Sequence, residues 1–248
     1  MDTYNAVAKN KVSGTPAKLF VSGMFAGAFI AFGALCSQIA GADTSLRVWQ
    51  AAVFPIGLVM VVLVGAELFT GNNLLAYGVC SKAITAGQMF RNWVFVYLGN
   101  LAGSLFVAFL AVYGGTGGLL GGAVGEVMIS AAVSKCGLSV PQMIMRGILC
   151  NILVCIAVWN AIKADNTAGK VLAAFLPTFA FVLCGFEHCI ANMYFIPAGM
   201  MAAGMYGGAE VSAGGALVNI VFVTVGNVIG GALICACGLW FIGKKDNR

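Results

Sequence analysis

Chemistry in this chain is concentrated in a few polar residues set in apolar surroundings. The stretch Gly185-Phe-Glu-His-Cys-Ile-Ala-Asn-Met193 places Glu187 beside His188, the single histidine of the sequence. A carboxylate and an imidazole in an oily run are costly unless they are paired or used, and such groups mark ion pathways or proton relays. Histidine titrates close to physiological pH, so His188 is read as a group that handles charge. A second stretch repeats the pattern: Gly65-x-Glu67-x4-Asn72 matches Gly185-x-Glu187-x4-Asn192. In that alignment His188 falls on Leu68, so the repeat itself does not demand an imidazole there.

Metal or redox chemistry finds little support. Cys184-x4-Cys189 beside His188 is the one arrangement resembling a ligand set, and it lacks a fourth ligand. The nine cysteines are an odd number without framework spacing, which argues against disulfides. All but Cys136 lie within or at the ends of apolar segments, where a thiol behaves as a small hydrophobe. Cys136 is assigned to a loop. No metal and no cofactor are expected.

The elements that position these residues follow from composition. Of 248 residues, 61% are hydrophobic and 8% charged, against about a quarter charged in soluble domains. That balance requires an integral membrane protein with a lipid bilayer as solvent. Windows of about 20 apolar residues give six spans, near 17–40, 48–81, 87–113, 141–163, 170–206 and 212–242. The first span is too long for a signal peptide and is read as retained. The net charge of +5 comes without a basic run longer than Lys244-Lys245, so nucleic acid is not an expected partner.

Spans two and five exceed a simple crossing, and each is interrupted by polar residues and glycine, AELFTGNN at 66–73 and FEHCIANM at 186–193. The halves, about 17–113 and 141–242 of one channel domain covering 1–248, also share Gly99-Asn100-x2-Gly103 and Gly226-Asn227-x2-Gly230. Three spans per half imply opposite insertion, the inverted-repeat plan in which broken helices meet at the bilayer midplane. A broken helix frees backbone groups that need partners. Glu67 and Glu187, with Asn72 and Asn192, are placed to brace the breaks by accepting freed N–H groups. The half-helices that follow aim positive ends at the midplane, which favours an anion. GMFAG (23–27), GNLAG (99–103) and GNVIG (226–230) are small-xxx-small faces for close packing, with Asn100 and Asn227 as interhelical partners.

Charge placement orients the chain. Ten lysines and arginines fall at the ends and even-numbered connections, against Arg47, Lys135 and Arg146 on the other side. The positive-inside rule then puts both termini in the cytoplasm.

These motifs resemble the formate/nitrite transporter family of pentameric anion channels with an aquaporin-like protomer. GFEHCIANM with Ile196-Pro197 is similar to its fifth-span signature, GAELFTGN (65–72) to its second-span loop, and RGILCNILVCIAVW (146–159) to its fourth-span motif. The resemblance implies a homopentamer in the cell's inner (plasma) membrane with one pore per protomer. It also implies that His188 is the central pore histidine and that Thr70 and Asn151 are its polar neighbours. Lys135 would draw anions to the pore, although by itself it reads as a solvated loop residue. Apolar constrictions would fall at Phe54, Leu58 and Leu68 on one side of the histidine and Phe181 on the other. Helical spacing lets Phe54 share a face with Leu58, and Phe181 with His188.

The expected function is therefore a channel or transporter, not an enzyme, for small monovalent weak-acid anions: formate, nitrite or hydrosulfide. An anion crossing dry apolar rings is costly, so proton uptake in a vestibule, with His188 relaying the proton or stabilising the anion, would ease passage. The alternative is an aquaporin-like channel for small neutral solutes. It predicts paired Asn-Pro-Ala breaks, and this chain has Gly71-Asn72-Asn73 and Ala191-Asn192-Met193 instead.

Overall fold

The computed structural model describes residues 2–44 and 46–243, and among them every regular element is helical. Lys244, Lys245 and Arg248, three of the charges behind the expected orientation, lie outside the described residues. The chain opens with α1 (Asp2–Ser13), which the sequence reading left unassigned, and continues into α2 (Pro16–Asp43). Thr15 caps α2 by accepting the Lys18 N–H, with Pro16 at the first helical position, where a missing N–H costs nothing.

The second span is divided more finely than expected. Pro55 separates α3 (Arg47–Val53) from α4 (Ile56–Val64), and the break at 65–68 leads to α5 (Phe69–Asn72) and α6 (Leu75–Cys80). Asn73 and Leu74 keep right-handed torsions, so residues 69–80 form successive tight turns. The half-helix expected after this break is thus a short, irregular one, and its dipole is correspondingly weak.

Next come α7 (Ala86–Tyr113), opened by a reciprocal Thr85–Gln88 capping box, and a 3-10 segment (Thr116–Gly122). The connection then forms α8 (Ala123–Cys136), so Cys136 and Lys135 belong to the last turn of a helix and not to a loop. The fold finishes with α9 (Val140–Lys163), α10 (Thr167–Leu183), α11 (Cys189–Tyr206), α12 (Ala213–Val228), a π-helical stretch (Ile229–Ala236) and α13 (Cys237–Gly243). Counting Arg47–Val64, Thr116–Cys136 and Ala213–Gly243 as continuous, six helices are long and apolar enough to cross a membrane.

Both breaks are made the same way. Gly65 (φ +75°) and Gly185 (φ +72°) turn left-handed. The next residue's N–H then bonds a carbonyl five positions back, Ala66 to Val61 and Phe186 to Phe181. This is a Schellman closure, which glycine permits because it has no Cβ.

The small-residue motifs are packing faces inside the protomer. Gly23 and Gly27 of α2 lie against the backbone of Val96, Gly99 and Asn100 on α7, and Gly226 and Gly230 of α12 and the π-helical stretch against Ile144, Gly147 and Ile148 on α9. The helices approach until backbone meets backbone, which a methyl group at any of these positions would prevent.

Candidate functional site

The repeat extends beyond the sequence match into a hydrogen-bond frame around each break. Phe69 N–H donates to Asn100 Oδ1 (2.9 Å), while Asn100 Nδ2 donates to Gly23 O (2.8 Å) and Glu67 O (3.0 Å). Cys189 N–H donates to Asn227 Oδ1 (2.9 Å), and Asn227 Nδ2 to Gly147 O (2.8 Å) and Glu187 O (2.9 Å). The glutamate side chains do not accept the freed N–H groups as expected: Asn100 accepts that of Phe69 and Asn227 that of Cys189, while the Glu67 and Glu187 N–H groups donate to Ser22 Oγ and the Arg146 carbonyl. A fixed amide offers both a donor and an acceptor to the exposed backbone, whereas a carboxylate only accepts.

The glutamates have other partners. Asn72 Nδ2 donates to Glu67 Oε2 (2.6 Å) and Asn192 Nδ2 to Glu187 Oε2 (2.7 Å), so each pair spans its break through side chains. Lys11 Nζ reaches Glu67 at 3.0 Å, and Lys135 Nζ reaches both oxygens of Glu187 at 3.0 Å. Asn92 donates to the Lys11 carbonyl and accepts from Asn72; Asn219 donates to the Lys135 carbonyl and accepts from Asn192. Nothing in the sequence marks Lys11, Asn92 or Asn219 as a partner of these groups. Lys11 precedes Glu67 by 56 residues and Lys135 precedes Glu187 by 52, so no fixed spacing links them.

Each break contributes residues to the wall of a cavity. The larger, about 580 Å³, is lined by His188, Phe54, Phe181 and the three basic residues Arg47, Lys135 and Arg146. The smaller, about 180 Å³, is lined by Leu68, Gly71, Asn72, Lys11 and Lys170. His188, in the wall of the larger cavity, places Nε2 2.8 Å from Oγ1 of Thr70, the residue next to Gly71 in the wall of the smaller one, both residues being buried. His188 Nδ1 accepts the Ala191 N–H (3.1 Å), which makes His188 the N-cap of α11. A neutral ring accepting at Nδ1 carries its proton on Nε2, so Nε2–H donates to Thr70 and leaves the threonine hydroxyl proton free. Leu68 occupies the matching N-cap of α5 in the same extended conformation and supplies no such cap.

The aromatic residues are arranged differently from the expectation. Phe54 and Phe181 lie together, ring centroids 5.7 Å apart, and both line the larger cavity; they do not flank His188 from opposite sides. Phe181 stacks on His188 at 5.9 Å because the chain turns back at Gly185, not because the two share a helix face. Leu68 stands at the smaller cavity, and Leu58, 2% exposed, lines neither. Asn151 bonds elsewhere than to His188: its Nδ2 donates to Asn73 Oδ1 (2.9 Å) and Asn227 O (2.7 Å). The π-helical stretch passes here, with Gly231 against Asn151 and Asn73. Lys135 is no solvated loop residue, being paired with Glu187 and 5.1 Å from the Phe195 ring centroid.

Known proteins are similar to this chain along its length. The formate/nitrite transporter family profile matches residues 1–241. A probable formate transporter of Methanothermobacter thermautotrophicus is 38% identical, covering 98% of this chain and 94% of its own. The nitrite transporter NirC of Escherichia coli K12 is 35% identical over 100% of this chain and 94% of that protein. Among solved structures, an FNT family ion channel superposes with a TM-score of 0.86 at 32% identity over 98% of this chain and 99% of the other. A pentameric formate channel with formate bound gives 0.80 at 30% identity over 92% and 97%. With its frame, its apolar helices and these matches along its whole length, the chain is a multi-pass membrane transport protein, not an enzyme, and belongs to the formate/nitrite transporter family.

Proposed function

We propose that the protein conducts small monovalent weak-acid anions, formate, nitrite or hydrosulfide, through a pore in each subunit of a homopentamer in the inner membrane. Both termini would face the cytoplasm. The observation that carries this reading is the Thr70–His188 pair, with His188 in the wall of one cavity and Thr70 beside Gly71 in the wall of another, both walls holding basic side chains. Arg47, Lys135 and Arg146, the three positive charges assigned to the outer side, all line the larger cavity. Lys135 is matched by Glu187, whereas Arg47, which donates to the neutral Val182 carbonyl, and Arg146 have no ion partner among the described residues. A cavity with surplus positive charge concentrates anions.

At the narrow point the chemistry is hydrogen bonding. With Nε2–H of His188 donating to Thr70, the Thr70 hydroxyl is the free donor suited to an anionic oxygen or sulfur, and Nε2–H is the donor behind it. Protonating the ring would oblige Nδ1 to give up the Ala191 N–H, so an anion contact by neutral imidazole is easier than full imidazolium formation. Proton linkage then consists of the weak acid taking a proton in the cavity and sharing it across this pair. Three basic residues in one vestibule with a single matching carboxylate favour an anion over a neutral solute.

Flux into liposomes tests the proposal. Purified protein should carry formate, nitrite and hydrosulfide well above chloride, faster as external pH falls toward the range where the acids form. Equal flux of chloride and formate with no pH dependence would overturn it.

A further inference from the structure

Gln38 is a buried amide with nothing to bond. It sits in α2 at 2% exposure in the wall of the larger cavity, and neither its Oε1 nor its Nε2 has a partner among the described residues. Buried polar groups of this kind are rare, because an unmade hydrogen bond in low dielectric is expensive. Its level in the pore is fixed by its helix. Gly33 lies against the Phe54 carbonyl and Gly41 against the Gln50 side chain, and the helix between them spans about 12 Å. Gln38 therefore stands between the levels of Gln50 and Phe54, both of which line the same cavity.

We propose that Gln38 is a specificity-determining residue that receives the substrate as a small neutral oxyacid in this cavity. A primary amide presents an N–H donor and a C=O acceptor side by side. A carboxylic acid presents the complement, so the two form a cyclic pair of hydrogen bonds: acid O–H to Gln38 Oε1, and Gln38 Nε2–H to the acid's carbonyl. A carboxylate offers only acceptors, and hydrogen sulfide has no adjacent acceptor oxygen. The anion takes a proton from hydronium in the cavity and leaves a water molecule, and the neutral acid then exchanges hydrating water for the amide. Nitrous acid, with O–H and N=O on one nitrogen, fits the same site. The inference rests on the anion-transport reading above and adds a preference within it.

The test compares formate and hydrosulfide flux in liposomes carrying wild type, Gln38→Leu or Gln38→Met. Both variants keep the volume and remove the hydrogen bonds. Formate and nitrite flux should fall about ten- to a hundredfold, with hydrosulfide flux changed less than about twofold. Gln38→Asn should restore part of the formate rate. Formamide, which offers the same N–H and C=O pair, should inhibit formate flux in wild type but not hydrosulfide flux, and this measurement needs no variant to fold. A formate-to-hydrosulfide ratio unchanged in both substituted proteins, or formamide without effect at large excess, would overturn the role of Gln38. Wild type that carries none of the anions would instead overturn the transport reading itself.

Discussion

Lys135 holds both carboxylate oxygens of Glu187 at 3.0 Å from the last turn of α8, and its side chain is 17% exposed against 6% for the glutamate. Removing the lysine leaves a nearly buried carboxylate with only an amide donor. Lys135→Ala is expected to lose about 1–3 kcal/mol, below the range for a fully buried pair because water still reaches the lysine. Lys135→Ala with Glu187→Gln should be more stable than Lys135→Ala alone, since the orphaned charge is gone. Chemical denaturation in detergent measures both, and equal stability of the two would contradict the pairing argument.

The amides of Asn100 and Asn227 carry more of each break than the glutamates do. Asn227→Leu strips three hydrogen bonds and buries an unpaired Cys189 N–H, for a loss of about 3–5 kcal/mol or failure to assemble. Asn227→Asp keeps the acceptor and loses the donor, so it should fall between. Yield of monodisperse protein and its melting temperature read the order; Asn227→Leu as stable as wild type would show that other groups satisfy the break.

His188 has two bonds to lose. His188→Phe removes the N-cap of α11 and the Thr70 contact, costing about 1–2 kcal/mol while the fold survives. His188→Asn can cap the helix again and should recover most of that stability. Neither should restore wild-type formate flux. A His188→Phe protein that folds and carries formate at the wild-type rate and pH profile would reduce the histidine to packing.

Glycine substitutions separate packing from helix propensity. A Cβ at Gly103 would run into the Met24 carbonyl, whereas one at Gly204, exposed in α11, meets nothing within 4 Å. Gly103→Ala is expected to destabilise by about 1–3 kcal/mol, and Gly204→Ala to stabilise by about 0.5–1 kcal/mol. Thermal melts of the two variants should move in opposite directions.

What the sequence alone determined is local or periodic. Twenty-residue apolar windows mark spans because hydrocarbon accepts little else, and glycine beside a polar run marks a break because the chain must leave the helix there. The Glu67/Asn72 and Glu187/Asn192 repeat was legible since each pair lies five residues apart. The tertiary structure decided which partner each polar atom receives. Asn100 meets Phe69 from 31 residues away, Asn227 meets Cys189 from 38, and Thr70 meets His188 from 118. Such pairings depend on how closely helices approach, which the backbone contacts at Gly23, Gly99, Gly147 and Gly226 set. The same packing puts Phe54 beside Phe181, makes a helix of the stretch holding Lys135, and leaves Gln38 unpartnered in a cavity wall. A hydrogen bond is short-ranged and directional, so residue type announces the capacity to bond, and only the assembled helices choose the partner.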